Sequence, residues 1–250
     1  MKKSSLIILF VAVFLWIGQA MAVPVVDGIF DLDEWAGHYT KDDGVESGGF
    51  VDPGWGGQAY DVEYTGLYFD SNTLYFGLQT GFDLDDSGST VYRPGDFALD
   101  IDGDTSYEYA INFIIHDEDG DGFSDDVTYY LVDMASALWD PVTHFPSSNP
   151  WQASYTSVLH EWTMIGAFGS GNFANNRDGG ISYVLEGSLS MSLLAAYSGG
   201  SITNHWTMEC GNDVGEITSA PVPEPATMLL FGTGLVGIAA IGRKRKKFVG

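Results

Sequence analysis

The chain has 250 residues, 45% of them hydrophobic and 14% aromatic, with 34 acidic residues against 10 basic ones and a formal net charge of −24 at pH 7. So acidic a surface repels nucleic acid and anionic lipid and attracts divalent cations. The many aromatic and β-branched residues between the acids exclude a disordered chain. The charge is also unevenly spread. Two basic residues lie in the first 22 positions and five in 243–247, which leaves Lys41, Arg93 and Arg177 against all 34 acids, a net −31 for the stretch between.

The chain opens with Met1-Lys2-Lys3, an apolar run from Leu6 to Ile17 and the small-x-small site Ala20-Met21-Ala22. This order of parts reads as a signal peptide over 1–22, cut after Ala22. No cysteine follows the cut, so a lipoprotein anchor is not indicated. A body over 23–217 follows, long enough for one sizeable core or two small ones.

Its first residues are Val26-Asp27-Gly28-Ile29-Phe30-Asp31-Leu32-Asp33-Glu34-Trp35. This stretch resembles the start of family 9 carbohydrate-binding modules and the related DOMON-like sandwiches, which begin with Asp-Gly, a short spacer and Glu-Trp. Leu74-Tyr75, and Gly95-Asp96 leading into Asp100-Ile101-Asp102, extend the likeness. The resemblance implies a jelly-roll-like sandwich, often with structural calcium and sometimes binding sugar. The Gly-rich insert from Gly44 to Gly57 and the irregular region 141–180 depart from it and put any family ligand groove in doubt.

The periodicity is that of strands. Short alternating or apolar runs occupy 67–70, 73–79, 96–102, 107–115, 127–132, 182–189 and 206–209. Turn residues separate them at Ser71-Asn72, Arg93-Pro94-Gly95, Asp102-Gly103, Asp121-Gly122 and Asp178-Gly179-Gly180. Many short strands at this spacing predict an all-β, jelly-roll-like β-sandwich. The best helical turn is 190–197, with Ser190 or Ser192 as its cap.

Two acidic stretches have the spacing of metal ligands. Asp117, Asp119 and Asp121 alternate, Gly122 permits a sharp bend, Phe123 can offer its carbonyl, and Asp125 stands ninth. Calcium takes six to eight hard oxygens on a flexible loop. The twelfth position is Thr128, so the loop resembles the Asp-rich calcium loops of thrombospondin type 3 repeats more than a complete EF-hand. Without a cation it is an acidic hairpin. The second stretch holds Asp96, Asp100, Asp102, Asp104 and Glu108, with Asp100, Asp102 and Asp104 as the weaker metal set. Its face is either solvated or bridged by a cation. Asp83, Asp85 and Asp86 read as a solvated turn.

Trp55, Trp139 and Trp151 sit in loop-like sequence and are the candidates for stacking on a sugar ring. The alternative is that each pins its loop to the core. Trp35, Trp162 and Trp206 lie in packed contexts. Catalysis has little support. The five histidines show no metal spacing, His160-Glu161 lacks a second histidine at the required step, and neither a nucleophile elbow nor a P-loop occurs. The single cysteine, Cys210, has no internal partner, so it is either buried or bonds another chain. It lies in His205-Trp206-Thr207-Met208-Glu209-Cys210-Gly211-Asn212-Asp213, which resembles a segment often found upstream of the tail described next.

The chain ends with a linker over 218–225 containing Pro223-Glu224-Pro225, an uncharged run over 226–242, and a basic segment over 243–250. Seventeen apolar residues reach the lower limit of about 17 for a membrane span, and the basic cluster belongs on the cytoplasmic side. These three parts in order resemble the PEP-CTERM sorting signal. That resemblance implies recognition by exosortase, a membrane-embedded cysteine peptidase. It also implies export across the inner membrane, a transient membrane anchor, and delivery to the cell surface or matrix of species that build exopolysaccharide. The expectation is therefore a non-catalytic, calcium-stabilised surface or matrix protein that binds an extracellular polysaccharide. The alternatives are an extracellular glycoside hydrolase or lyase, and a structural matrix protein with no small ligand.

Overall fold

The computed structural model describes residues 23–42, 44–45, 48–84, 91–116, 123–124, 127–164, 168–176, 179–222 and 234. The leader 1–22 and the tail 223–250, apart from Gly234, lie outside the described residues, and so do Asp117, Asp119, Asp121 and Asp125. No helix among the described residues is long and apolar enough to cross a membrane.

The strands are β1 (Tyr39–Lys41), β2 (Val62–Phe69), β3 (Thr73–Thr80), β4 (Phe97–Asp100), β5 (Tyr109–Ile115), β6 (Phe123–Ser124) and β7 (Val127–Asp133). They continue with β8 (Leu138–Asp140), β9 (Gln152–Ser154), β10 (His160–Met164), β11 (Phe168–Gly171), β12 (Ser182–Ser190), β13 (Ile202–Thr207) and β14 (Val214–Ser219). They build two six-stranded sheets, β1-β2-β3-β12-β11-β6 and β10-β7-β5-β4-β13-β14, plus the small pair β8-β9. All the strand pairings are antiparallel. This is the expected all-β sandwich.

Alternation explains the layers, since successive strand residues point to opposite faces. Leu67 and Phe69 of β2, Leu74, Phe76 and Leu78 of β3, and Leu185 and Leu189 of β12 belong to one buried cluster. Phe97 and Leu99 of β4, Tyr109 and Ile111 of β5, Tyr129 and Leu131 of β7, and Trp206 of β13 supply the same cluster from the other sheet. The intervening residues serve separate outer layers. Tyr64, Tyr68 and Val184 pack with Phe30 and Trp35 of the N-terminal segment. Ala110 and Val132 pack with Ala153 of the β8-β9 hairpin.

The N-terminal segment is clamped through its Asp-Gly and Glu-Trp residues. Gly66 and Gly77 face each other across β2 and β3. Their missing side chains leave a flat floor for the Trp35 indole, because a Cβ on Gly66 would lie 2.6 Å from Trp35 Cε3. Trp35 Nε1 donates to Glu186 Oε1 at 2.9 Å. The amides of Asp27 and Gly28 donate to Glu186 Oε2 at 3.2 and 3.1 Å. Burial outweighs these bonds and pushes the Glu186 carboxyl up to about 8.

The expected turn after β12 is a single 3-10 turn, Met191–Leu193, with the Ser190 side chain accepting from Ser192 N. At the other end β14 carries the fold past 217 to Ser219, and Val222 N donates to Phe69 O at 2.8 Å. The body therefore ends at Val222, one residue before the Pro-Glu-Pro.

Candidate functional site

The turn leaving β4 gathers four carboxylates. One oxygen from each of Asp100, Asp102, Asp104 and Glu108 lies within 4.8 Å of the others. Short-range backbone bonds wind the loop this way. Asp100 Oδ1 accepts from the amides of Asp102 (3.2 Å) and Gly103 (2.7 Å), and its Oδ2 accepts from Thr105 N (3.0 Å). Asp102 Oδ1 accepts from Asp104 N at 3.1 Å, and Asp104 Oδ1 from Ser106 N at 2.8 Å. Thr105 takes φ 71, a left-handed residue that reverses the chain. Glu108 returns on the far side, with its Oε2 accepting from Ile101 N at 2.9 Å. Burial first, then the Asp102 and Asp100 carboxylates, raise the Glu108 carboxyl, while the Ile101 bond opposes them.

Asp100 is buried and Asp102 and Asp104 are exposed, so the cluster opens to solvent on one side. Such a loop can offer a hard cation four carboxylate oxygens, with backbone carbonyls and water to complete six to eight. Its spacing was legible in the sequence. Asp96 does not join it. That carboxyl is buried at the other end of β4, where it accepts from Asn112 Nδ2 and Ala153 N, both at 2.8 Å, and burial pushes it up to about 6. The other expected loop, with Asp117, Asp119, Asp121 and Asp125, lies outside the described residues. Of its ligands only the backbone of Phe123 is described, in β6, paired with Gly169.

A second cluster carried no sequence signal. Asp42, Asp61 and Asp213 each bring a carboxylate oxygen within 4.8 Å of the others, and Asp61 and Asp213 are wholly buried. The three come from the end of β1, the start of β2 and the β13-β14 turn, so only the fold unites them. Val62 N and Val214 N donate to Asp213 at 2.5 and 2.7 Å. Burial, then the Asp42 carboxylate and more weakly Asp61, push the Asp213 carboxyl up to about 9. Like charges held this closely in the interior repel strongly, and a proton or a cation relieves them. These residues are the second set that could hold a metal.

The three candidate tryptophans have three different environments. Trp55 is 59% exposed, and its ring centroid lies 3.8 Å from that of Phe50, also exposed. Asn212 holds this loop by accepting from Trp55 N and Gly54 N. Trp139 is half-buried and pins the β8-β9 hairpin, with Nε1 donating to Tyr107 O at 3.2 Å. Trp151 is only 4% exposed, with the Arg93 guanidinium 4.9 Å over its ring. Its face is therefore covered, which removes it as a stacking platform. Trp35 and Trp206 are wholly buried, and Trp162 is half-buried against Tyr129. Cys210 is wholly buried in the core cluster, and burial raises its thiol, so it presents no sulfur to another chain.

A family model of a protein-sorting motif matches residues 221–246, which gives the chain the signal of an exported and sorted protein. The signal is the PEP-CTERM one, and it implies processing by exosortase. No curated protein and no solved structure matches the chain.

Proposed function

We propose that the protein is a non-catalytic surface or matrix component. It crosses the inner membrane, is held there briefly by its C-terminal span, and is released to the surface with calcium setting its acidic turns. The observation that carries the calcium reading is the convergence of Asp100, Asp102, Asp104 and Glu108 within 4.8 Å on a loop wound by its own amides. A cation that binds the folded state and not the unfolded one raises the melting midpoint. The test is thermal melting of the purified chain in millimolar calcium and in chelator. A higher midpoint in calcium is expected, and an identical midpoint eliminates the site.

The partner we propose is an extracellular polysaccharide. The paired Phe50 and Trp55 rings support this reading, because exposed aromatic faces next to a mobile polar polymer suit stacking on sugar rings. Retention of the chain on insoluble exopolysaccharide, lost in Trp55→Ala, is the expected result. A hydrolase would need two carboxylates flanking a groove, about 5–5.5 Å or 6.5–9.5 Å apart. Among the described residues the clustered acids lie instead at the β4 turn and in the interior, which favours a binder. Turnover of the polymer by the purified chain would reverse that preference.

A further inference from the structure

The second sheet has a gap beside β4. β5 pairs with β4 through Phe97↔Ile111, Ala98↔Ala110 and Leu99↔Tyr109. On its other side β5 pairs with β7 along its whole length, ending at Ile115↔Val127. Among the described residues, 112–115 therefore have no strand neighbour where a longer β4 would have run. A cavity of about 380 Å³ lies there, lined by these residues, the 93–96 turn and Gln152. Small-molecule sites begin at about 300 Å³.

The lining is polar and fixed in place. Asp96 is 2% exposed and holds its carboxylate between Asn112 Nδ2 and Ala153 N. Asn112 Oδ1 in turn accepts from Tyr155 OH at 3.3 Å. Asp96 N donates to Trp151 O at 2.7 Å, which ties the turn to the hairpin. Arg93 is held over Trp151 and paired with Glu209 at 3.4 Å, so its charge is balanced. Gln152 makes no side-chain hydrogen bond within the described residues and has its amide to offer. Phe113 supplies an apolar wall.

We propose that this cavity binds a neutral saccharide unit, with Asp96, Asn112 and Gln152 addressing its hydroxyls and Phe113 its carbon face. A hydroxyl donates to a carboxylate and accepts from an amide, so a polyol matches this mixed set where a purely accepting or purely donating ligand does not. A second anion would meet Asp96 and the field of the whole acidic body. The assignment rests on the reading of the protein as a polysaccharide binder and locates a subsite for one stretch of that polymer.

The test is calorimetric titration of the purified full chain, in calcium, with maltose, cellobiose and digalacturonate. At least one neutral disaccharide should bind saturably. Its affinity should fall about tenfold in Gln152→Ala and in Asn112→Ala, the scale of one or two lost hydrogen bonds. Gln152→Ala is the cleaner variant, since no bond among the described residues depends on that side chain. Three results overturn the cavity assignment: no response to either neutral disaccharide, unchanged affinity in both variants, or tighter binding of digalacturonate. If wild-type chain still adheres to exopolysaccharide in those cases, the surface reading stands and the cavity alone fails. Disaccharide binding without polymer retention has the opposite meaning.

Discussion

At the scale of single residues, Trp35 and Glu186 show how far local sequence reaches. The Glu-Trp pair was legible as part of a sandwich opening, and Trp35 is indeed wholly buried. Its place on the outer face of a sheet was not legible, because it depends on Gly66, Gly77 and a glutamate 151 residues away. Gly66→Ala should cost about 1–3 kcal/mol, the usual price of overpacking a close contact, read as a lower urea midpoint; a change under about 0.5 kcal/mol would mean the indole floor is softer than described. Glu186 has a proton to lose. Its ordinary value is 4.5 and the fold raises it to about 8. Between those values the folded chain keeps a proton that the unfolded chain has released. The stabilisation is complete below about pH 4.5 and disappears as pH rises through about 8, at up to about 1.4 kcal/mol per pH step. Melting midpoints should thus fall from about pH 5 to about pH 9, and Glu186→Gln should flatten part of that slope, with its deficit against the wild type greatest at the acid end and shrinking as pH rises. Asp96, Asp213 and Glu108, also raised, add to it. A midpoint that climbs over this range contradicts the assignment.

At the scale of elements, strands with two or more large apolar residues in alternation were readable. β3, β5, β7 and β12 correspond to the runs found at 73–79, 107–115, 127–132 and 182–189, while the run 67–70 catches only the last three residues of β2. The strands of the region 141–180 were not readable. β9 is Gln152-Ala153-Ser154 and β11 is Phe168-Gly169-Ser170-Gly171, too short and too polar for a period to appear. β14, at a sheet edge, has only Val214 and Ile217 as apolar signals. Such strands form because neighbours already in place supply their hydrogen-bond partners. The loop after β4 was the opposite case, since its four clustered carboxylates are local in sequence. Asp102→Asn and Asp104→Asn keep the oxygens that accept from Asp104 N and Ser106 N but remove two negative charges. The double variant should lose the calcium-induced rise in midpoint without any drop in chelator, because like charges no longer repel. A preserved calcium response would assign the effect to another loop.

At the scale of the whole molecule, charge dominates. Among the described residues Lys41 and Arg93 are the only lysine or arginine, so internal pairing can neutralise very little of the acid. Self-repulsion of this kind is long-ranged and screened by salt. In chelator, raising sodium chloride from ~10 to ~150 mM shortens the screening length from ~30 to ~8 Å, and the melting midpoint should increase. An insensitive midpoint would mean that the repulsion is already absorbed by protons on the buried acids. The Asp42, Asp61 and Asp213 cluster belongs to this scale too. It is assembled only when β1, β2 and the β13-β14 turn meet, and nothing along the chain announces it.

The hydrogen bond from Val222 to Phe69 has a practical corollary. Because the last stitch among the described residues falls immediately ahead of Pro223, trimming at the Pro-Glu-Pro keeps every described residue of the sandwich. A truncation there, or a graft of some other terminus, should leave the domain intact. One that starts even a few positions earlier would begin to unpick β14.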